Sequence, residues 1–104
     1  MGNYRSRLDI IADILLVASR RARKTQIMYQ ANLSYRLLTK YLAEIRKAYL
    51  VRYENEERRY MLTIKGKTFL KRYKEYSKSC KHVERKLDDI NSKKTALEEL
   101  CAFK

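Results

Sequence analysis

Residues 69 to 101 read FLKRYKEYSKSCKHVERKLDDINSKKTALEELC. Phe69, Tyr73, Tyr76, Cys80, Val83, Leu87, Ile90, Lys94, Leu97 and Cys101 follow one another in alternating steps of four and three. That is the 3.5-residue repeat of a coiled-coil seam. Phe69, Tyr76, Val83, Ile90 and Leu97 take the d positions, and Tyr73, Cys80, Leu87, Lys94 and Cys101 the a positions. Only Lys94 is charged, and no Gly or Pro follows Gly66. A helix from Phe69 to Cys101 spans about 48 Å at ~1.5 Å per residue. The residues before it are too few to cover such a stripe and also build a core, so the pattern predicts a homodimer. A long helix folded back on its own N-terminal part is the alternative.

The seam does not fix strand direction alone. Parallel strands set Lys93 beside Glu98 of a second copy, a pair worth only ~0.2–1 kcal/mol, but they also stack Lys94 on Lys94. An antiparallel register with Tyr73 facing Leu97 of the second copy sets Lys94 over Tyr76. There its stem is covered and its ammonium meets a ring. The same register pairs Cys80 with Ile90 and Val83 with Leu87, so core shape favours antiparallel strands while the flanking charges mildly favour parallel ones.

Upstream, the period differs. Met1 to Arg5 reads as a frayed start. Ser6 with Asp9 three residues on forms a near-capping box. Leu8, Ile11, Ala12, Ile14, Leu15 and Ala18 then lie on one helical face, predicting a helix over 6–19. Ser19 to Lys24 is a charged connector, either a solvated turn or a phosphate contact. Thr25 caps a short helix over 25–31 with Ile27, Met28 and Ala31 inward. Asn32-Leu33-Ser34 reads as a tight turn, with Asn32 left-handed, Leu33 plugging the angle and Ser34 capping the next helix. That helix runs from 35 to 47 and buries Leu38, Tyr41, Leu42 and Ile45. Two short helices joined by a turn form a helix-turn-helix candidate. Residues 50–54 and 59–63 flank the polar tetrad Asn55-Glu56-Glu57-Arg58 and read as a hairpin. Thr63 caps the long helix. The expected fold is mainly α (α+β), in the order H-H-H-E-E-H, with a first domain over 1–68 and a dimerisation helix over 69–104.

The net charge of +13 and pI near 9.9 call for a polyanionic partner, nucleic acid first. No apolar run approaches the ~18 residues of a membrane span, so a cytoplasmic, nucleoid-associated protein is expected. Nine Tyr, no Pro and 36% charged residues match a thermophile composition. Cys80 and Cys101 lack metal spacing, and His82 is the lone histidine, so neither a metal nor another cofactor is expected. His82 and the Glu56-Glu57 pair stand in no nucleophile or acid/base constellation, and no Gly-rich phosphate loop exists; the reading is not an enzyme.

Double-stranded DNA is the expected partner. The second helix of a helix-turn-helix offers its N-terminal residues to the major groove. Here those are Ser34, Tyr35, Arg36, Thr39 and Lys40, for base edges or phosphates. Lys24, Thr25 and Gln26 start the preceding helix, Arg58 and Arg59 stand at the hairpin, and Lys65 and Lys67 open the basic start of the long helix. A protein-interaction module without direct DNA binding is the competing class, but it has no need of such charge.

Three segments carry a family resemblance: Lys24-Thr25-Gln26-Ile27-Met28-Tyr29-Gln30-Ala31-Asn32-Leu33-Ser34, Lys40-Tyr41-Leu42, and Tyr60-x-Leu62-Thr63-x-Lys65-Gly66. They resemble an archaeal winged-helix family, the small Sulfolobus DNA-binding proteins with a C-terminal coiled-coil helix. The resemblance implies a winged helix-turn-helix, a chromatin-type or transcription-regulating role, and dimers joined by an antiparallel two-stranded coiled coil. Two positions depart from the pattern. Tyr49 stands where a Gly usually follows the third helix, costing ~1 kcal/mol if that residue is left-handed. Glu54, Glu56 and Glu57 crowd a hairpin tip that would approach phosphates.

Overall fold

A computed structural model describes residues 5–102. Residues 1–4, read above as part of a frayed start, and residues 103 and 104 lie outside them. The element order is α1 (Arg7–Ala18), α2 (Lys24–Gln30), α3 (Tyr35–Lys47), β1 (Val51–Glu54), β2 (Arg59–Leu62) and α4 (Ile64–Leu100), which is the expected H-H-H-E-E-H. The chain divides into a unit ending at Tyr73 and a second beginning at Lys74.

Local chemistry explains the boundaries. Ser6 Oγ accepts the Asp9 N–H at 3.2 Å while Asp9 Oδ2 accepts the Ser6 N–H at 3.0 Å, so the capping box closes α1 at its start. Both later helices end in a Schellman motif. After α2, Asn32 N–H reaches Tyr29 O and Leu33 N–H reaches Met28 O, with Asn32 at φ 54°. After α3, Tyr49 N–H reaches Arg46 O and Leu50 N–H reaches Ile45 O, with Tyr49 at φ 61°. The departure from Gly is therefore met by a strained Tyr in the same turn rather than by another turn. Ser34 Oγ caps α3 through the Leu37 N–H.

The core of the first unit gathers Ile11, Ile14, Leu15 and Ala18 from α1, Ile27 from α2, Leu38, Tyr41, Leu42 and Ile45 from α3, and Val51 and Tyr60 from the hairpin. Ile14, Leu15, Ile27, Leu38 and Ile45 are fully buried, each worth ~1.5–3 kcal/mol of burial. The strands pair antiparallel with Tyr53 opposite Tyr60, rings 4.8 Å apart. Gly66, in the first turn of α4, is buried against the backbone of Leu50. Thr63 N–H donates to Leu50 O at 3.1 Å, and Thr63 Oγ1 accepts the Gly66 N–H at 3.0 Å, capping α4 as expected.

Several expectations need correction. Arg5 is not frayed: its guanidinium pairs with Asp13 and donates to Ala31 O and Asn32 O, tying the start of the chain to the end of α2. Leu8 is 37% exposed and lies outside the buried core cluster. Thr25 does not cap α2, which begins at Lys24 with Arg23 as its cap residue. The connector is not a plain charged turn: Ala22 is buried and bridges Tyr60 through two backbone bonds of 3.1 and 2.7 Å, adding a one-residue strand to the hairpin. Phe69 packs on the core of the first unit, and the Tyr73 hydroxyl donates to Asp9, so the first two seam positions also make contacts within their own domain. Cys101 lies in the turn after α4.

The second unit, from Lys74, is described by itself. It is helical to Leu100, and every residue from Lys78 to Ala102 is exposed in the single chain. Its seam residues Val83, Leu87, Ile90 and Leu97 are 53–65% exposed.

Candidate nucleic-acid interface

The amphipathic pattern of α3 decides which of its residues meet solvent. Leu38, Tyr41, Leu42 and Ile45 face the core, and Tyr35, Arg36, Thr39 and Lys40 are exposed on the opposite side. Ser34 is exposed, and its Oγ accepts the Leu37 N–H in the cap, which leaves its hydroxyl proton able to donate. Thr39 hydroxyl donates to Tyr35 O at 2.8 Å, which leaves its oxygen able to accept. Lys24, the first residue of α2, sets its ammonium 4.1 Å from the centre of the Tyr35 ring. That contact joins the N-termini of both helices of the motif. Lys24 also holds the Tyr35 phenol below the ordinary tyrosine range, by hydrogen bond and by charge. Lys40 lies 5.8 Å from the Tyr41 ring. Arg36 is exposed at the start of α3.

Other expected contacts are distributed differently. Thr25 is exposed on α2, while Gln26 Oε1 accepts the Arg23 N–H at 3.4 Å and helps cap that helix. Lys65 donates to Ala48 O at 2.7 Å, closing the end of α3, whereas Lys67 is exposed. Arg58 ends the hairpin turn at φ 56° and is exposed. Arg59 points back: its Nη1 donates to Arg21 O at 3.0 Å and its Nε stands 3.8 Å from Glu57.

Arg21 and Arg23 belong to the connector that the sequence left open between a solvated turn and a phosphate contact, and neither was assigned a role of its own. Arg21, at φ 61°, pairs with Glu54 at 2.6 Å and lies 3.7 Å from Glu57. The acidic tip is thus largely neutralised from within. Arg23 lines an open cleft beside the hairpin turn. Only the density of arginines in the connector could have signalled this, because the partners lie more than thirty residues away.

The charge is unevenly shared. Residues 1–73 contain 17 Lys/Arg and 6 Asp/Glu, while residues 74–104 contain 8 and 6. In the first unit Asp13, Glu44, Glu54 and Glu57 are in ion pairs, and Asp9 accepts from Tyr73 and Ser6. The basic excess is therefore concentrated where α3 and the hairpin lie, and few carboxylates there remain unengaged.

A three-helix domain with a connector strand, a hairpin and an exposed third helix is what the winged helix-turn-helix profile describes, and that profile matches residues 4–81. The chain belongs to the winged helix-turn-helix family. The family is non-enzymatic. Among solved structures, the chain is similar to Sso10a-2, a DNA-binding protein from Sulfolobus solfataricus. The identity is 26% and the TM-score 0.63, over 96% of this chain and 100% of that one. The fold is also shared with Lactococcus lactis ZitR. A mutant form of ZitR is 21% identical with TM-score 0.61, over 98% of this chain and 82% of that one. Wild-type ZitR in complex with DNA is 15% identical with TM-score 0.57, over 98% and 81%. No curated protein sequence matches the chain. Among the described residues no helix is long and apolar enough to cross a membrane, and no cluster of His, Cys, Asp and Glu is suited to a metal ion.

Proposed function

We propose that this winged helix-turn-helix protein binds double-stranded DNA, with the outer face of α3 in the major groove, and dimerises through α4. The observation that carries the reading is that face. Tyr35, Arg36, Thr39 and Lys40 are exposed on a helix whose other side is locked into the core, within a unit that holds most of the basic excess. Sso10a-2, described as DNA-binding, and ZitR, solved with DNA, support it. A purely protein-docking role would leave that charge without a purpose. Function on the DNA of an archaeal thermophile, in the nucleoid and as a regulator or a chromatin protein, accords with the composition and the Sulfolobus likeness.

Dimerisation rests on the exposed seam. Phe69 and Tyr73 already make contacts at home, so the central pairing surface runs from Tyr76 to Lys94. The antiparallel register keeps its central layers: Tyr76 over Lys94 of the second copy, Cys80 over Ile90, Val83 over Leu87. Leu87→Asp with Ile90→Asp buries carboxylates at a cost of several kcal/mol and should yield a monomer in sedimentation. Parallel strands would bring Cys80 beside its counterpart, whereas this register holds them ~15 Å apart. Rapid Cys80 cross-linking in a Cys101→Ser variant therefore contradicts it.

Duplex binding measured across a salt series tests the DNA reading. Arg36→Ala and Lys40→Ala should each weaken binding at unchanged thermal stability, and Lys40→Ala should flatten the salt slope by about one. Unchanged affinity in the double variant removes α3 from the interface. A large preference for one sequence over a random duplex identifies a regulator; near-equal affinity with a steep slope identifies an architectural protein.

A further inference from the structure

The cleft beside the hairpin turn has a volume of about 560 Å³ and is lined by Arg23, Glu56, Glu57, Arg58 and Arg59. Backbone bonds fix its two walls. Ala22 and Tyr60 exchange bonds of 3.1 and 2.7 Å, and the Arg59 side chain donates through Nη1 to Arg21 O, so the connector is tied to the hairpin. The charges then sort themselves. Glu54 is held by Arg21, and Glu57 stands between Arg21 and Arg59. Two carboxylates and two guanidinia thus satisfy one another beside the cleft. Arg23 and Arg58 remain: both line the cleft and are exposed, one from the connector and one from the turn. Glu56 is the one lining carboxylate outside the ion pairs seen among the described residues.

We propose that this cleft is a phosphate clamp in which Arg23 and Arg58 together hold a single phosphodiester of the DNA backbone. Guanidinium groups present paired donors to phosphate oxygens and stay charged at any working pH. An open cleft suits a phosphate that remains part of a polymer. The clamp rests on the DNA-binding reading and adds Arg23 to the interface while removing Arg59, whose donors are turned onto Arg21 and Glu57.

The test is affinity for a random-sequence duplex as a function of salt, using the full chain. Arg23→Ala and Arg58→Ala should each weaken binding. The double variant should bind about tenfold or more weakly at ~0.1 M salt and lose about one unit of salt slope in total, since one phosphate is released. Each single variant should lose less slope than the double, because the remaining guanidinium still meets the phosphate. Arg58→Gly, which suits the left-handed backbone at that residue, guards against a misfolded turn and should behave as Arg58→Ala. Arg59→Gln, confirmed folded by its unfolding midpoint, should keep the wild-type slope. A loss of about two units in the double variant means two independent contacts and overturns the clamp. So does an unchanged double variant, or an Arg59→Gln slope as low as the double's. A wild-type chain that fails to bind duplex defeats the DNA reading itself, a different outcome from any of these.

Discussion

Gly66→Ala opposes two effects of known sign. In an exposed helix the change stabilises by ~1 kcal/mol through helix propensity. Gly66 is not exposed: a Cβ built there would lie 2.1 Å from Leu50 O, 3.2 Å from Leu50 C and 3.3 Å from Leu62 Cδ2. The nearest of these is backbone and cannot rotate away. Relief requires the start of α4 and the turn after α3 to part by about 1 Å in a close-packed interior. That movement pulls on the Thr63 N–H to Leu50 O bond and on the Lys65 tie to Ala48 O. Overpacking costs ~1–3 kcal/mol and a weakened backbone bond ~1 kcal/mol. Set against the propensity gain, the net loss is about 1–3 kcal/mol. For a domain of this size each kcal/mol moves the midpoint by ~4–8 °C, so Tm should fall by roughly 5–20 °C. Far-UV circular dichroism at one fixed protein concentration reads it, since a dimer's midpoint depends on concentration. A Tm equal to or above wild type would refute the claim that α4 is docked through backbone contact at Gly66.

Tyr73→Phe should destabilise by ~1–2 kcal/mol through the lost bond to Asp9, read by denaturant unfolding. The Tyr73 hydroxyl is the main cause of a lowered Asp9 pKa, followed by the Ser6 N–H. The contribution of this bond is therefore full above the unfolded value of ~3.9 and is lost as pH falls through the lower folded value. The gap between wild type and variant should hold near neutrality and close in acid; a gap that persists to the acid limit contradicts the assignment. Tyr49→Gly should raise stability by about 1 kcal/mol, since the residue is left-handed and 74% exposed. A lower Tm in that variant would show that the Tyr49 ring matters more than its backbone.

What was legible in the sequence was whatever repeats or sits beside its partner. The buried face of α3 follows from four residues at helical spacing. The capping box of α1 and the left-handed Asn32 follow from neighbours within three positions. The one-residue strand at Ala22 has no period to read, and its partner Tyr60 is 38 residues on. The ion pairs of Arg21 and Arg59 with the hairpin acids leave no periodic trace either, so the tip looked hostile to phosphate when its charge is largely cancelled. The home contacts of Phe69 and Tyr73 were illegible for another reason. The heptad is unbroken through them, but periodicity gives a face and not what covers it. The first turns of α4 use part of that face within their own domain, through Phe69 on the core and the Tyr73 hydroxyl on Asp9, contacts that have no periodic signature.

Net charge is therefore a poor guide to how this surface would meet DNA. Screening at ~0.15 M salt confines each exposed charge to ~8 Å. A phosphate then responds to the nearest unengaged cations, not to the sum over the chain. In the first unit the carboxylates are mostly spent on Arg5, Arg7, Arg21 and Arg59, and Arg46 rests 5.6 Å from the Tyr53 ring. Those cations build the domain. Arg23, Arg36, Lys40, Arg58 and Lys67 are exposed and are in none of the ion pairs among the described residues. Neutralising a structural cation such as Arg21 removes as much formal charge as neutralising Arg36. The two variants should differ: loss of Arg21 should lower the stability of the hairpin, and loss of Arg36 should leave stability unchanged and weaken the proposed DNA binding alone.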